Sequence, residues 1–225
     1  MKSDHLISSS EAGFGKRLRD IELWGDKEGQ IVTNYQEISE YIARRIFSKT
    51  GDKSILEICC GIGSLTVFLA KVFSRVIAVD INPIRIVAAN KNLQLNNLIN
   101  RVDLITGDIE NEKVINKICN KYKIGAVCTD VTWSETGIYG QDHTDDLDKT
   151  TPATDKLFKL LTDRDWKNIC MRLPKTIDYK QLMGLGSVEI EEISINGELK
   201  FIYAYFGMLV KDIGITKKNF RIDRK

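Results

Sequence analysis

Short apolar runs alternate with stretches of helical spacing along most of the chain. The apolar runs have the length of buried strands, and we predict strands at 54–59, 75–80, 102–106, 124–129 and 168–173. Between and after these runs the pattern predicts helices at about 64–73, 82–96, 111–122, 153–163 and 177–185. Strands that alternate with helices in this way favour an α/β fold with a mostly parallel sheet.

The beginning of the chain lacks this alternation. Residues 16–24 are a candidate short helix. Thr33 and Gln36 have the spacing of a capping box, and apolar residues then recur at helical intervals, so we predict a helix over 34–48. Together these elements predict a small helical N-terminal extension over residues 1–50.

The C-terminal part ends in a hairpin pattern. An Asn-Gly pair at 196–197 separates two β-rich runs, 188–195 and 199–210, which is a strong signal for a type I′ turn. The hairpin adds an antiparallel strand, so the predicted sheet has seven strands and is mostly parallel. We place the α/β domain at 51–212 and a basic tail at 213–225.

The turn after the first predicted strand carries the most specific polar pattern. Residues 54–63 read S-I-L-E-I-C-C-G-I-G, so Glu57 lies four residues before Gly61, and Gly63 follows. Glycines let the backbone approach a ligand closely where a strand becomes a helix. Thr66 stands where a dinucleotide fingerprint has its third glycine, and an acid at Glu57 suits a cationic amine better than a pyrophosphate. The pattern therefore favours S-adenosylmethionine over NAD as the cofactor.

Acids close three successive predicted strands, at Glu57, Asp80 and Asp108. The carboxyl ends of parallel strands share one edge of the sheet, where open α/β sheets bind their ligands. We assign Glu57 to the methionine end of the cofactor, directly or through water, and Asp80 to the ribose hydroxyls. Asp108 and Ile109 are assigned to the adenine and its amine. Ile81, next to Asp80, completes the predicted cofactor site.

The fourth strand ends in D-V-T-W at residues 130–133, a polar side chain and an aromatic three positions apart. This segment resembles the S-P-P-W motif of the trimethylguanosine synthases, the RNA cap guanine-N2 methyltransferases. Further similar segments are V-I-A-V-D-I-N-P at 76–83, L-P-K at 173–175, V-E-I-E at 188–191 and A-Y-F-G at 204–207. The resemblance covers roughly 16–210 and implies the Rossmann-type fold of class I methyltransferases.

The resemblance also implies roles on the substrate side. Asp130 takes the place of the motif's polar residue beside the guanine N2, and Trp133 stacks on the guanine. We therefore predict that both residues are catalytic. Lys175 meets cap phosphates where the family has Arg, and Arg17, in a basic cluster near the start, is placed with it as substrate-binding. Both prolines of the motif are absent, Asp130 is charged where the family has serine, and an acidic loop over 134–152 follows.

These residues predict methyl transfer to the exocyclic N2 of guanine in RNA, with the 7-methylguanosine cap as the first candidate substrate. A guanine in tRNA or rRNA is an open alternative, and so is an RNA-binding protein that has kept the fold without activity. An NAD-linked oxidoreductase is disfavoured, because the third glycine and a proton-transfer histidine are both missing.

Composition adds limits rather than a function. The 225 residues carry a net charge of +2, so electrostatics alone do not indicate nucleic acid. The five cysteines lack C-x-x-C spacing and the two histidines, His5 and His143, lie far apart, so no metal site is expected. Free cysteines in apolar runs and the absence of an 18-residue apolar run predict a soluble intracellular protein, in the cytoplasm or the nucleus, without a membrane partner.

Overall fold

The structure is a computed structural model that describes residues 6–133 and 144–222. In it, the predicted apolar runs form β-strands. The strands are β1 (Ile7–Ser8), β2 (Trp24–Gly25), β3 (Ser54–Ile58), β4 (Val76–Asp80), β5 (Val102–Thr106), β6 (Ile124–Asp130), β7 (Ile169–Pro174), β8 (Val188–Ile195), β9 (Glu198–Phe206) and β10 (Gly214–Phe220). β1 and β2 pair with each other, and the other eight strands form the main sheet. The five predicted strands of the α/β pattern are confirmed.

The main sheet has the order β10-β8-β9-β7-β6-β3-β4-β5. Its neighbouring strands are parallel except where β9 pairs with β7 and β8. The predicted hairpin is confirmed, with Asn196 and Gly197 at φ values of 52° and 85°, as a type I′ turn requires. The order in which strands are added to the sheet reverses at β3: β4 and β5 lie on one side of it, and β6 and β7 lie on the other. At such a switch point, the carboxyl ends of the two adjacent strands, here β3 and β6, border a crevice in which a ligand can bind.

Helices cover both faces of the sheet. They are α1 (Lys27–Val32), α2 (Gln36–Thr50), α3 (Ser64–Val72), α4 (Pro83–Leu95), α5 (Glu112–Lys121), α6 (Thr154–Thr162) and α7 (Tyr179–Gly184). Buried residues of α2, α3 and α4 form one apolar cluster, and those of α5, α6 and α7 form a second cluster. The sheet lies between these clusters, which fixes the strand ends that carry the site. No helix in the described ranges is long and apolar enough to span a membrane.

The C-terminal region corrects the predicted tail. Residues 214–220 form β10, which pairs in parallel with β8 and gives the main sheet eight strands rather than seven. One face of β10 is exposed and includes Ile215 and Lys217, whereas Lys218 and Phe220 lie partly buried on the other. Lysine on an edge strand discourages pairing with other chains. The same lysines made this strand look like a basic tail in the sequence.

The N-terminal region corrects two local predictions. Residues 16–24 do not form a helix; the chain makes a short 3₁₀ turn at Gly15–Arg17 and then extends into β2. The capping box is also wrong, because Thr33 Oγ1 donates to the Gly29 carbonyl, and Tyr35 caps α2 without a side-chain bond. Gln36 Oε1 instead accepts from two backbone N–H groups of the preceding segment. The domain boundary at residue 50 stays a prediction.

Candidate active site

A cavity of ≈ 290 Å³ opens at the carboxyl ends of β3, β4, β5 and β6. Of the residues singled out in the sequence, it is lined by Gly61, Asp80, Ile81, Asp108, Ile109, Asp130 and Trp133. Residues of α1 and the cis Thr151-Pro152 peptide also line it. Asp80 at the end of β4, Asp130 at the end of β6 and Asp108 just after β5 therefore meet at one cavity, as the topology requires. Among the described residues, no cluster of His, Cys, Asp or Glu could hold a metal ion.

The two glycines of the turn have different roles. Gly61 has a φ of 56°, and a Cβ built on it would meet no atom within 4 Å, so this backbone faces open space in the cavity wall. Gly63 has a φ of 79°, but a Cβ there would lie 3.0 Å from Ala89 Cβ. The first glycine leaves room for a ligand against the backbone. The second allows α3 and α4 to pack closely.

Asp80 is fixed in the cavity wall by the backbone. Its Oδ2 accepts from the Gly61 N–H at 2.7 Å, and its Oδ1 accepts from the Asn82 N–H at 2.9 Å. Only 6% of the residue is exposed. Each carboxylate oxygen can accept more than one hydrogen bond, so both oxygens keep capacity for a ligand hydroxyl. Asp108 is exposed, and its Oδ1 accepts from the Glu110 N–H at 2.9 Å.

Glu57 lies behind the glycine turn rather than in the cavity wall. It is 3% exposed, and its Oε2 accepts from Thr66 Oγ1 at 2.6 Å. Burial raises the pKa of Glu57 to about 8 against the opposing effect of the Thr66 bond, and the negative charges of Asp130 and Asp80 add to the increase. Its assignment as a cofactor residue stays a prediction. Thr66, the residue in the third glycine's place, holds it.

The pH dependence of stability tests this state of Glu57. Its pKa is about 8 in the folded chain against an ordinary value of 4.5, so the folded chain keeps a proton that the unfolded chain loses. The free energy of unfolding therefore falls as the pH rises between these two values, by at most about 1.4 kcal/mol per pH unit. We expect Glu57→Gln to remove this fall, because Gln is neutral and can still accept from Thr66. Chemical denaturation at several pH values measures both proteins, and parallel curves would contradict the prediction.

Asp130 forms an ion pair that the sequence did not reveal. Arg172 Nη1 donates to Asp130 Oδ2 at 2.7 Å, and the two residues are direct cross-strand partners on β6 and β7. The Arg172 guanidinium also lies 5.1 Å from the centre of the Trp133 ring and 4.3 Å from that of Phe201. Burial raises the pKa of Asp130, while Arg172 acts to lower it. The one sequence signal was a cation inside the apolar run I-C-M-R-L-P at 169–174.

This edge of the sheet, with Asp80 ending one strand, Asp130 ending another and Trp133 just beyond it, falls within a match to a known family. The model of the RNA cap guanine-N2 methyltransferase family matches residues 52–209. The chain belongs to this family. The match runs from just before β3 to the end of the hairpin, and it confirms the resemblance to the trimethylguanosine synthases.

One curated protein shows how this cap guanine-N2 methyltransferase domain compares in sequence with a known relative. A protein of Acanthamoeba polyphaga mimivirus with a provisional RNA methyltransferase name is 32% identical over 108 residues, which are 47% of this chain and 27% of that protein. The chain thus spans about a quarter of the viral relative's length.

Solved structures confirm the class I Rossmann-type fold. A provisionally named methyltransferase from Porphyromonas gingivalis has a TM-score of 0.63 at 19% identity, covering 83% of this chain and 43% of its own. The Pyrococcus abyssi tRNA (uracil-54, C5)-methyltransferase, solved with S-adenosyl-L-homocysteine, has a TM-score of 0.55 at 14% identity, covering 83% of this chain and 42% of its own. At such identities the likeness concerns the fold alone.

The two cations that the sequence assigned to the substrate of this family lie outside the cavity wall. Lys175 is exposed, and its Nζ donates to the Leu199 carbonyl at 3.3 Å. Arg17 Nη1 donates to the carbonyls of Ile31 and Thr33, both at 2.9 Å, and burial lowers its pKa. Arg17 therefore holds the end of α1 in place. A substrate role for either residue stays a prediction.

Asn92 on α4 connects the N-terminal extension to the glycine turn, and the sequence did not single it out. Its side chain accepts from the Trp24 N–H at 2.7 Å and donates to the Trp24 and Ile62 carbonyls, each at 2.8 Å. The residue is fully buried. It thereby fixes β2 beside the turn, and the helix that follows, α1, contributes Gly29 and Val32 to the cavity wall.

Proposed function

We propose that this chain is an S-adenosylmethionine-dependent RNA methyltransferase that acts on the exocyclic N2 of guanine. Its first candidate substrate is the 7-methylguanosine cap. The observation that carries the proposal is one cavity with Gly61 and Asp80 on one side and Asp130 and Trp133 on the other. Membership of the cap guanine-N2 family supports the choice of target atom.

The residues on the first side fit S-adenosylmethionine. Gly61 offers an open stretch of backbone, and Asp80 has two oriented oxygens that would accept the ribose hydroxyls. Asp108 and Ile109 would hold the adenine, with Ile81 beside them. The cofactor supplies a methyl group on a positively charged sulfur, and acids around the site suit that charge.

The residues on the second side fit a guanine. In the described part of the chain, Asp130 Oδ1 has no hydrogen-bond partner, whereas Oδ2 is bound by Arg172. Oδ1 would accept from the guanine amine and stabilise the positive charge that develops on N2 during transfer. Trp133 would hold the base by stacking. The amine is a poor nucleophile, so the contribution of these residues is mainly correct placement.

A neutral guanine inside tRNA or rRNA is the second candidate substrate. Arg172 balances the charge of Asp130 and lies over the Trp133 ring. The pair therefore presents no net charge, and it gives less attraction for the cationic 7-methylguanine than a free carboxylate would. This observation favours the tRNA or rRNA alternative.

Labelled S-adenosylmethionine distinguishes the two substrates. The protein is incubated with 7-methylguanosine cap analogues, with the matching unmethylated analogues, and with total RNA. Label in the 7-methylguanosine analogues supports the cap, whereas label only in tRNA or rRNA supports the second candidate. Absence of label in all three samples would contradict the proposed activity.

A further inference from the structure

Arg172 is a cation inside a buried strand. The residue is 8% exposed, and its neighbours Met171 and Leu173 are fully buried. Its Nε is buried and has no hydrogen-bond partner in the described ranges. Burying a charge costs free energy unless the charge is paired, so contacts with other groups must stabilise Arg172 at this position.

The contacts of Arg172 converge on the substrate side of the cavity. Nη1 donates to Asp130 Oδ2 at 2.7 Å and to the Val32 carbonyl at 3.3 Å, and both of those residues line the cavity. The guanidinium also lies over the rings of Trp133 and Phe201. One side chain therefore contacts the acid, the aromatic residue and the end of α1.

We infer that Arg172 is a positioning residue for methyl transfer, which keeps Asp130 charged and aimed at the target amine and holds the Trp133 ring in place through its guanidinium. This inference rests on the proposed function. It explains how the chain carries an acid at the motif position where the resembled family has a neutral serine. Asp130 and Arg172 act as one paired unit, with Oδ2 used for the pair and Oδ1 left for the substrate.

The surroundings of Asp130 show why it needs this partner. Among the described residues, the other charged or titratable groups that act on the pair or are affected by it are Glu57 on β3, Cys59 after it, Cys128 on β6, Cys170 on β7, Tyr203 on β9 and Arg17 of the extension. Burial raises the pKa of the three thiols and of Tyr203, so they are neutral at neutral pH. Arg17 is bound to Ile31 and Thr33 and contacts the Phe14 ring. Arg172 is therefore the cation that is paired with Asp130.

Without Arg172, Asp130 would be a partly buried acid with no cation beside it, close to Glu57. Burial would then raise the pKa of Asp130 without the opposing effect of the ion pair. A protonated Asp130 has no negative charge to stabilise the developing charge on N2. Loss of Arg172 should therefore act through the protonation of Asp130, and it should be most severe at low pH.

The test compares Arg172→Met, Arg172→Lys and the double variant Asp130→Asn/Arg172→Met with the wild type. We expect Arg172→Met to lower methyl transfer about tenfold at neutral pH. We also expect it to move the acid limb of the rate profile upward by about one pH unit or more. Arg172→Lys keeps the charge and should return the limb towards the wild-type position. Lys180→Met, which removes an exposed cation after β7, is the matched control and should match the wild type.

A second measurement tests the Asp130–Arg172 ion pair without an activity readout. Denaturation over a range of pH should show Arg172→Met weakened most where Asp130 is ionised, and the double variant should recover at neutral pH because no unpaired acid remains. This arm does not depend on activity, so it still tests the pair if no RNA is methylated and the proposed function fails. An active wild type whose rate profile superimposes on that of Arg172→Met would overturn the inference.

Discussion

Replacing Asp130 with Asn should lower methyl transfer roughly a thousandfold, the cost of removing one well-placed charge-stabilising group. Asn keeps the shape of the side chain but not its charge, and Oδ1 of Asp130 is the acceptor that the cavity offers to a guanine amine. The affinity for S-adenosylmethionine should stay within about threefold, because Asp130 lies on the substrate side. Single-turnover transfer and calorimetric titration of the same preparations measure the two effects.

Because Asp130 is paired with Arg172, different substitutions of Asp130 affect the stability of the protein differently. Asp130→Ala would leave the buried Arg172 without its acidic partner, which costs up to about 3–5 kcal/mol of stability when the pair is fully buried. We still expect it to abolish transfer, and its folding has to be checked by thermal unfolding. Asp163→Asn, which changes an acid in an exposed ion pair with Lys159, is a matched control. Equal losses of transfer and cofactor binding in Asp130→Asn would refute the assigned role.

Asp80→Ala should raise the Kd for S-adenosylmethionine at least about tenfold, since two charge-assisted hydrogen bonds to the ribose would be lost. The variant also removes the acceptor for the Gly61 and Asn82 N–H groups, so the glycine turn loses a support. Asp80→Asn keeps an acceptor and should show a smaller loss. Calorimetric titration measures the Kd, and Asp163→Ala, at the same exposed acid, serves as the matched control. An unchanged Kd in Asp80→Ala would remove this residue from the cofactor site.

The sequence predicted the part of the fold that depends on local pattern. Strands β3 to β7 and the hairpin follow from apolar runs and from the Asn196-Gly197 turn, both of which act over a few residues. β10 was missed because an edge strand with one exposed face has a mixed composition, and only its pairing with β8 identifies it. The helix predicted over 16–24 failed because this segment is bound by distant groups, such as Asn92 to Trp24.

The candidate site also has a part that the sequence could predict and a part that it could not. Gly61, Asp80 and Asp108 could be placed together because the carboxyl ends of parallel strands meet at one edge. The sequence also marked Thr66, but its bond to Glu57 depends on how α3 packs against β3. Arg172 could not be linked to Asp130, because the register of β6 and β7 is set by tertiary packing.

The position of the transferred methyl group tests the central claim most directly. RNA is incubated with labelled S-adenosylmethionine and the wild-type protein, digested to nucleosides and analysed by mass spectrometry, with Asp130→Asn as the paired sample. The account predicts label on the exocyclic N2 of guanine with the wild type and a near-complete loss of that signal with the variant. Label on another atom or another base, or equal labelling by both proteins, would contradict it.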